Sequence, residues 1–169
     1  MDNKIEIKGY ITNLGKYNEG ELIGEWISFP ISDEELEEVF ERIGINEQYE
    51  EYFFTDWECD FDDDFEEYES IARVNEIANK LNETDYYTIC AALEVWSLRD
   101  VLEMDFDYLY LYSDIEDDYD LGYYYAIECE CSTIPNHLIN YINFSSYGRD
   151  IRFEMNGGHT KYGWIEYRW

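Results

Sequence analysis

The chain has 169 residues and sets 41 Asp and Glu against 11 Lys and Arg, a formal charge of −30, so neither nucleic acid nor a membrane is expected as its partner. Disorder often accompanies such charge, but aromatics form 19% of the residues and only two prolines occur, which points to a folded protein. No apolar run approaches the roughly 20 residues of a bilayer span, and Met1-Asp2-Asn3-Lys4 leads into a strand-like run without the features of an export signal. A cytoplasmic location is therefore expected, with Cys59, Cys90, Cys129 and Cys131 as free thiols and the sequons at Asn82 and Asn143 without meaning. Much of the apolar content is Tyr, 18 in all, which suits several thin cores better than one deep one.

Residues 4–12 alternate Ile5, Ile7 and Ile11 with polar neighbours, a half-buried strand pattern interrupted by Gly9. A turn-rich stretch from Asn13 to Gly20 links it to a second strand, Glu21 to Phe29, and the two read as a hairpin with a long loop. Ser32 and Glu35 form an S-x-x-E capping box, with Ile31 and Leu36 at the positions of a hydrophobic staple. Leu36, Val39, Phe40 and Ile43 follow at helical spacing, and Gly44 supplies a stop. The predicted helix, about 33–43, turns Glu34, Glu37, Glu38 and Glu41 outward, with only Arg42 to relieve their repulsion. A third strand, Tyr49 to Trp57, completes a small α+β unit.

An acidic run follows at 60–69, and from Ser70 to Met104 the pattern is helical. Ile71, Val74, Ile77 and Leu81 suit one helix, Tyr86 to Trp96 a second, and Ser97 with Asp100 caps a short third. The last third returns to mixed structure: a strand at Tyr108 to Tyr112, a helix near Glu116 to Glu130, another after Pro135, and two strands around Asn156-Gly157-Gly158. The expected fold is α+β, in three small domains: a mixed domain at 1–60, a helical middle at 61–104 and a second mixed domain at 105–169. No internal repeat is present.

Charge is segregated along these pieces. Residues 33–130 hold 33 acids and four bases, the stretch before them five acids and three bases, and the stretch after them three acids and four bases. A surface built only for solubility mixes both signs, so the segregation favours function. Crowded carboxylates are expected to titrate above their ordinary values, with stability falling as pH rises and salt relieving the repulsion.

Catalytic chemistry is poorly represented. The histidines are His137 and His159, and no G-x-S-x-G or phosphate-binding loop occurs. Cys129-Glu130-Cys131 is a C-x-C without a second pair at finger spacing, weak support for zinc. Divalent cations are the stronger alternative. Asp60, Asp62 and Asp64 match the first ligand positions of a calcium loop, but Phe65 stands at the glycine position and Ile71 at that of the bidentate Glu. Asp114, Glu116, Asp118 and Asp120 could also gather an ion, with Tyr119 where glycine would be needed.

The acids also read as phosphates. Duplex DNA carries one charge per ~1.7 Å of axis, so thirty carboxylates match about 50 Å, or roughly 15 base pairs, and a dimer about 30. Rings interleaved with acids, as from Tyr108 to Tyr125, could add packing contacts, although filling a core is their default role.

The segment Asn13-Leu14-Gly15-Lys16-Tyr17-Asn18-Glu19-Gly20-Glu21-Leu22-Ile23-Gly24-Glu25-Trp26 resembles the N-terminal signature of the ArdA antirestriction family of conjugative plasmids and transposons. Tyr49-Glu50-Glu51-Tyr52, Thr55-Asp56-Trp57-Glu58, Tyr68-Glu69-Ser70-Ile71 and Tyr147-Gly148-Arg149-Asp150-Ile151 resemble family segments in the same order, so the likeness is nearly full length. Departures lie in Gly157-Gly158-His159-Thr160 and in Trp164 to Trp169. The resemblance implies an elongated, curved, non-catalytic protein of three small domains. It also implies a homodimer joined through the C-terminal domain, and inhibition of type I restriction-modification enzymes.

No cofactor is implied, and no short family motif acts as an active site. The expected partner is the core formed by the specificity and modification subunits, whose DNA cleft the acids would occupy. The residues expected to imitate phosphates are Glu34, Glu37, Glu38 and Glu41 on the first helix and Glu47 beyond it. To these are added Asp60, Asp62, Asp63, Asp64, Glu66, Glu67 and Glu69 in the acidic run, then Glu103, Asp105, Asp107, Asp114, Glu116, Asp117, Asp118 and Asp120. Two other readings remain open: a metal-dependent enzyme or metal-binding module using the clustered Asp residues, and a mimic aimed at another DNA-binding protein.

Overall fold

The structure is a computed structural model that describes residues 3–61, 65–129 and 133–169. It is α+β, and the chain divides into two compact units, Met1–Tyr86 and Tyr87–Trp169. The helical middle of the sequence is shared between them. Among the described residues no helix is long and apolar enough to cross a membrane.

The first unit is built on a three-stranded antiparallel sheet in which β1 (Ile7–Asn13) lies between β2 (Gly24–Phe29) and β3 (Tyr52–Cys59). Ile7, Gly9 and Ile11 alternate inward from the central strand as the period of two requires. The break in the apolar pattern at Gly9 has a steric cause. A Cβ there would lie 2.7 Å from the Phe54 ring and 2.8 Å from Trp57, whose rings pack at a tilt of 35° with centroids 4.4 Å apart. Glycine in the strand admits these rings to the sheet face. Pairing of β1 with β3 shifts register between Tyr10 and Ile11, where Thr55 is the extra residue of β3, so that Phe54 and Trp57, three positions apart, both reach the sheet face at Gly9. On the far side of β3, the Phe54 amide donates to the Glu67 carbonyl, 2.7 Å away.

The stretch read as turn-rich, Asn13 to Gly20, contains a short helix, α1 (Leu14–Asn18), started by Asn13. Asn13 is fully buried: its Oδ1 accepts from the Lys16 amide at 3.0 Å, and its Nδ2 donates to the carbonyls of Ile43 and Gly44, both at 3.1 Å. One side chain thus caps α1 and fastens the end of α2 (Asp33–Ile43) to the sheet. The capping box expected at the start of α2 is present in both directions, and Gly44 ends the helix in the left-handed region at φ 77°. Val39 and Ile43 face inward.

α3 (Ile71–Leu81) is tied on by two asparagines that act like short strand pairs. Asn75 accepts from the Ile31 amide at 2.8 Å and donates to its carbonyl at 2.9 Å. Asn82 does the same to Ile5, at 2.9 and 3.3 Å.

The second unit begins with α4 (Tyr86–Val95), whose Thr88 to Ala92 are all buried, and α5 (Leu98–Glu103), capped by Ser97 as expected. A 3-10 turn leads into β4 (Leu109–Tyr112); β5 (Gly157–Thr160) and β6 (Gly163–Tyr167) complete an antiparallel sheet in the order β4-β6-β5. The hairpin reverses at Lys161-Tyr162; the Asn156-Gly157-Gly158 segment leads into β5 and is not the turn. The helix expected at 116–130 is α6 (Asp118–Tyr123) continued by one π-helical turn, Tyr124–Glu128. After Pro135 comes a 3-10 helix, Asn136–Tyr141, and then a separate helix, α7 (Phe144–Glu154), which Asn143 caps by accepting from the Ser146 amide.

α6 and α7 meet backbone to backbone at Gly122 and Gly148. A Cβ on Gly148 would collide with the Asp118 carbonyl oxygen, and one on Gly122 with that of Phe144. Below them lies the core of Ile115, Leu121, Ile151 and Trp164. Gly148→Ala is expected to force the helices apart and to destabilise the protein by about 1–3 kcal/mol, the scale of an overpacked core site. Urea denaturation of the variant beside the wild type checks this.

Candidate functional site: an acidic interaction surface

α2 shows how the sequence builds a charged face. Asp33, Glu34 and Glu35 occupy its first turn, where the helix dipole favours negative charge. Glu35 is committed to the capping box, and the Ser32 hydroxyl holds its carboxyl below the ordinary range. Glu34, Glu37, Glu38 and Glu41 are all exposed, opposite the buried Val39 and Ile43. At 1.5 Å rise per residue these four span about 10 Å, one charge per about 3.5 Å, the axial charge spacing of a single DNA strand. Arg42 grips Glu25 of β2 with a two-pronged contact, Nη2 to Oε1 at 2.6 Å and Nε to Oε2 at 3.1 Å, and lies 3.7 Å from Glu38.

The other candidates of the first unit behave differently from one another. Glu47, Glu66 and Glu67 are exposed. Asp60 is exposed but accepts from the Glu6 amide at 2.9 Å, and the Glu69 side chain is 8% exposed, paired with Arg73 at 2.7 Å. Asp62, Asp63 and Asp64 lie outside the described residues. The sequence reading passed over Glu50, Glu51, Asp56 and Glu58, all exposed. For Asp56 and Glu58 the signal was the alternation of β3, which becomes visible once the bulge at Thr55 is allowed for.

In the second unit, Glu103, Asp105, Asp107, Asp114, Glu116 and Asp117 are exposed. Arg99 approaches Glu103 to 3.7 Å, and Asp105 accepts from the Asp107 amide at 3.1 Å. Asp117 is the cap of α6, taking the amides of Tyr119 and Asp120 at 2.8 and 3.0 Å, and Asp120 takes the Glu116 amide at 3.1 Å. Asp118 is half-buried and pinned from two sides, by Arg152 Nε at 2.9 Å and His159 Nε2 at 3.2 Å. Asp114, Glu116, Asp118 and Asp120 therefore do not converge on one point. Among the described residues no three His, Cys, Asp or Glu side chains form a group that could hold a metal ion.

One acid is wholly internal. Glu166, in the central strand β6, is fully buried and takes the Tyr125 hydroxyl at 2.6 Å and the Trp164 Nε1 at 2.9 Å on Oε2, with Tyr112 and Arg168 on Oε1. Burial pushes the Tyr112 and Tyr125 hydroxyls well up, and both stay neutral donors. The sequence signal was a strand with Trp164, Glu166 and Arg168 at intervals of two.

The two small sheets and their helices hold most of the candidate acids outward, with hydrogen bonds spent on shaping the backbone beneath them. Such a molecule is defined by its surface charge. The sequence profile described as Antirestriction protein (ArdA) matches residues 9–166, and the chain belongs to that family, which makes it an antirestriction protein. No match is found among curated proteins.

The expectation that crowding raises the carboxylates is reversed where shifts occur. Glu19, Glu35, Glu94 and Asp118 are all held below their ordinary values, Asp118 chiefly by its hydrogen bond from Arg152. A lowered folded-state value stabilises above the unfolded value, and that stabilisation is lost as pH falls through the folded one. Asp118→Asn should therefore lower the melting temperature at neutral pH by a few degrees. The gap from the wild type should close as pH drops below the ordinary 3.8. Thermal melts from pH 7 to pH 2 measure it.

Proposed function

We propose that this antirestriction protein is a mimic of duplex DNA that occupies the DNA cleft of a type I restriction-modification enzyme, against its specificity and modification subunits, without catalysis and without a cofactor. The observation that carries the reading is the exposed acidic face of α2, whose charge spacing equals that of a DNA strand while its one cation, Arg42, is turned to β2. Pairing of cations is general: among the described residues, ten Lys and Arg side chains lie within 4 Å of a carboxylate. A basic cleft approaching the molecule meets the surplus acids and few free positive charges. Such binding needs no sequence readout, because the phosphate backbone supplies most nonspecific DNA affinity.

A surface that acts through its summed field degrades gradually. Each exposed ion pair is worth about 0.2–1 kcal/mol, so Glu37→Gln alone should weaken inhibition less than about fivefold. Joint replacement of Glu34, Glu37, Glu38, Glu41, Glu66, Glu67, Asp107, Asp114, Glu116 and Asp117 by their amides should weaken it at least about thirtyfold. Displacement of DNA from a type I methyltransferase core measures both, and the displacement should fall steeply with salt and persist in EDTA. A single amide that abolishes displacement, together with EDTA sensitivity, would instead support a metal enzyme.

The homodimer is assigned to the near-neutral segment from 131 onward, where two copies can meet without bringing their acidic stretches together. Tyr141 and Phe153, 86% and 73% exposed, are its candidate contacts. In a two-fold interface each substitution acts twice. Tyr141→Asp with Phe153→Asp should give a folded monomer by sedimentation, and a double variant that still sediments as a dimer overturns the assignment.

A further inference from the structure

Four times among the described residues a cation is shared between an aromatic ring and a carboxylate. Lys16 lies 4.6 Å from the centre of the Tyr49 ring and pairs with Glu19; Lys161 lies 4.8 Å from that of Tyr162 and pairs with Glu94. Arg152 lies 4.7 Å from the Phe153 ring while pairing with Asp118, and Arg168 lies 4.9 Å from the Tyr110 ring while pairing with Glu166. The ring face supplies a negative quadrupole and the carboxylate a full charge, so the two together hold a cation better than either alone.

The first unit brings an exposed ring and exposed acids into the same short segment. Tyr17, Phe53 and Tyr68 form a strip of rings, with centroids 5.1 Å apart between Tyr17 and Phe53 and 6.2 Å between Phe53 and Tyr68. Phe53 is buried and anchors the strip, whereas Tyr17 is 49% and Tyr68 69% exposed. Glu66 and Glu67, exposed, precede Tyr68 directly in the chain. Among the described residues no Lys or Arg lies over either tyrosine ring. An exposed stacked ring contributes little to a core, and solvating a charged loop does not require one.

We propose that the strip of Tyr17, Phe53 and Tyr68, with Glu66 and Glu67, is a docking point for an arginine side chain of a basic, DNA-binding partner protein. A planar guanidinium stacks on a ring while its edge reaches a carboxylate, which the compact lysine ammonium does less well. The inference rests on the reading of the molecule as a mimic and adds to it a contact that charge alone does not supply. Tyr68 then determines preference for arginine-bearing clefts, as buried aromatic anchors do at other interfaces.

The test uses the full-length protein and two labelled peptides of equal charge, hexa-arginine and hexa-lysine. The wild type should bind hexa-arginine the more tightly, and Tyr17→Ala with Tyr68→Ala should weaken that binding about threefold to tenfold while changing hexa-lysine little. The corresponding Phe variants should keep the preference, and all should melt near the wild type. Equal affinity of the wild type for the two peptides, or a preference that survives in the Ala variant, overturns the proposal. In DNA displacement from the type I core, Tyr68→Ala should lose a similar factor with an unchanged salt slope, since no charge is removed; displacement equal to the wild type also overturns it. A wild type that prefers arginine yet displaces no DNA from that core would refute the type I target and leave the docking point standing.

Discussion

Mutual repulsion among carboxylates is the constraint under which this chain folds. Thirty surplus negative charges favour expansion, which the buried apolar side chains of the two units oppose. Directed polar contacts at the joints do much of the fastening. Asn13 links a strand to the ends of two helices, Asn75 and Asn82 pair with backbone as a strand would, and Glu166 gathers four donors inside the second sheet. These contacts are short-ranged and internal, so they hold without consuming the exposed acids. A buried carboxylate is costly unless fully bonded, which accounts for the tyrosines, tryptophan and arginine packed around Glu166.

The same constraint divides the acids by task. Some shape backbone: Glu35 and Asp117 cap helices, Asp105 caps a turn, and Asp120 holds an amide in the loop ahead of its own helix. Others pin elements to one another, as Asp118 does through Arg152 and His159. Those remaining, on α2 above all, project into solvent, and among the described residues Glu34, Glu37 and Glu41 take part in no ion pair while Glu38 only approaches Arg42. Composition treats the three groups alike, because Asp and Glu read identically in a charge count. Only the hydrogen-bond partners separate them.

Legibility in the sequence followed the range of the interaction. The helix at 33–43 was readable to the residue because its cap, its apolar stripe and its terminal glycine all lie within a dozen positions. Helices α3, α4 and α5 were readable for the same reason. Features set by contacts distant in sequence were not. α1 depends on the buried Asn13, whose other bonds reach residues 30 positions away, and the bulge at Thr55 depends on pairing with β1. At the surface, exposure of α2's acids followed directly from periodicity, while the captivity of Glu69 and Asp118 depended on where Arg73 and Arg152 came to lie.

The crossing of Gly122 and Gly148 bears on how such a protein can diverge. An exposed carboxylate can move to a neighbouring position, or change between Asp and Glu, with only a small change in the summed field, so the outer surface has wide freedom to drift. Backbone packed directly on backbone has none, since the smallest added side chain strikes a carbonyl oxygen. Ancestry in this chain is therefore better recorded in such small residues than in the acids that dominate its composition, and two proteins with the same field could share few acidic positions while keeping this glycine pair.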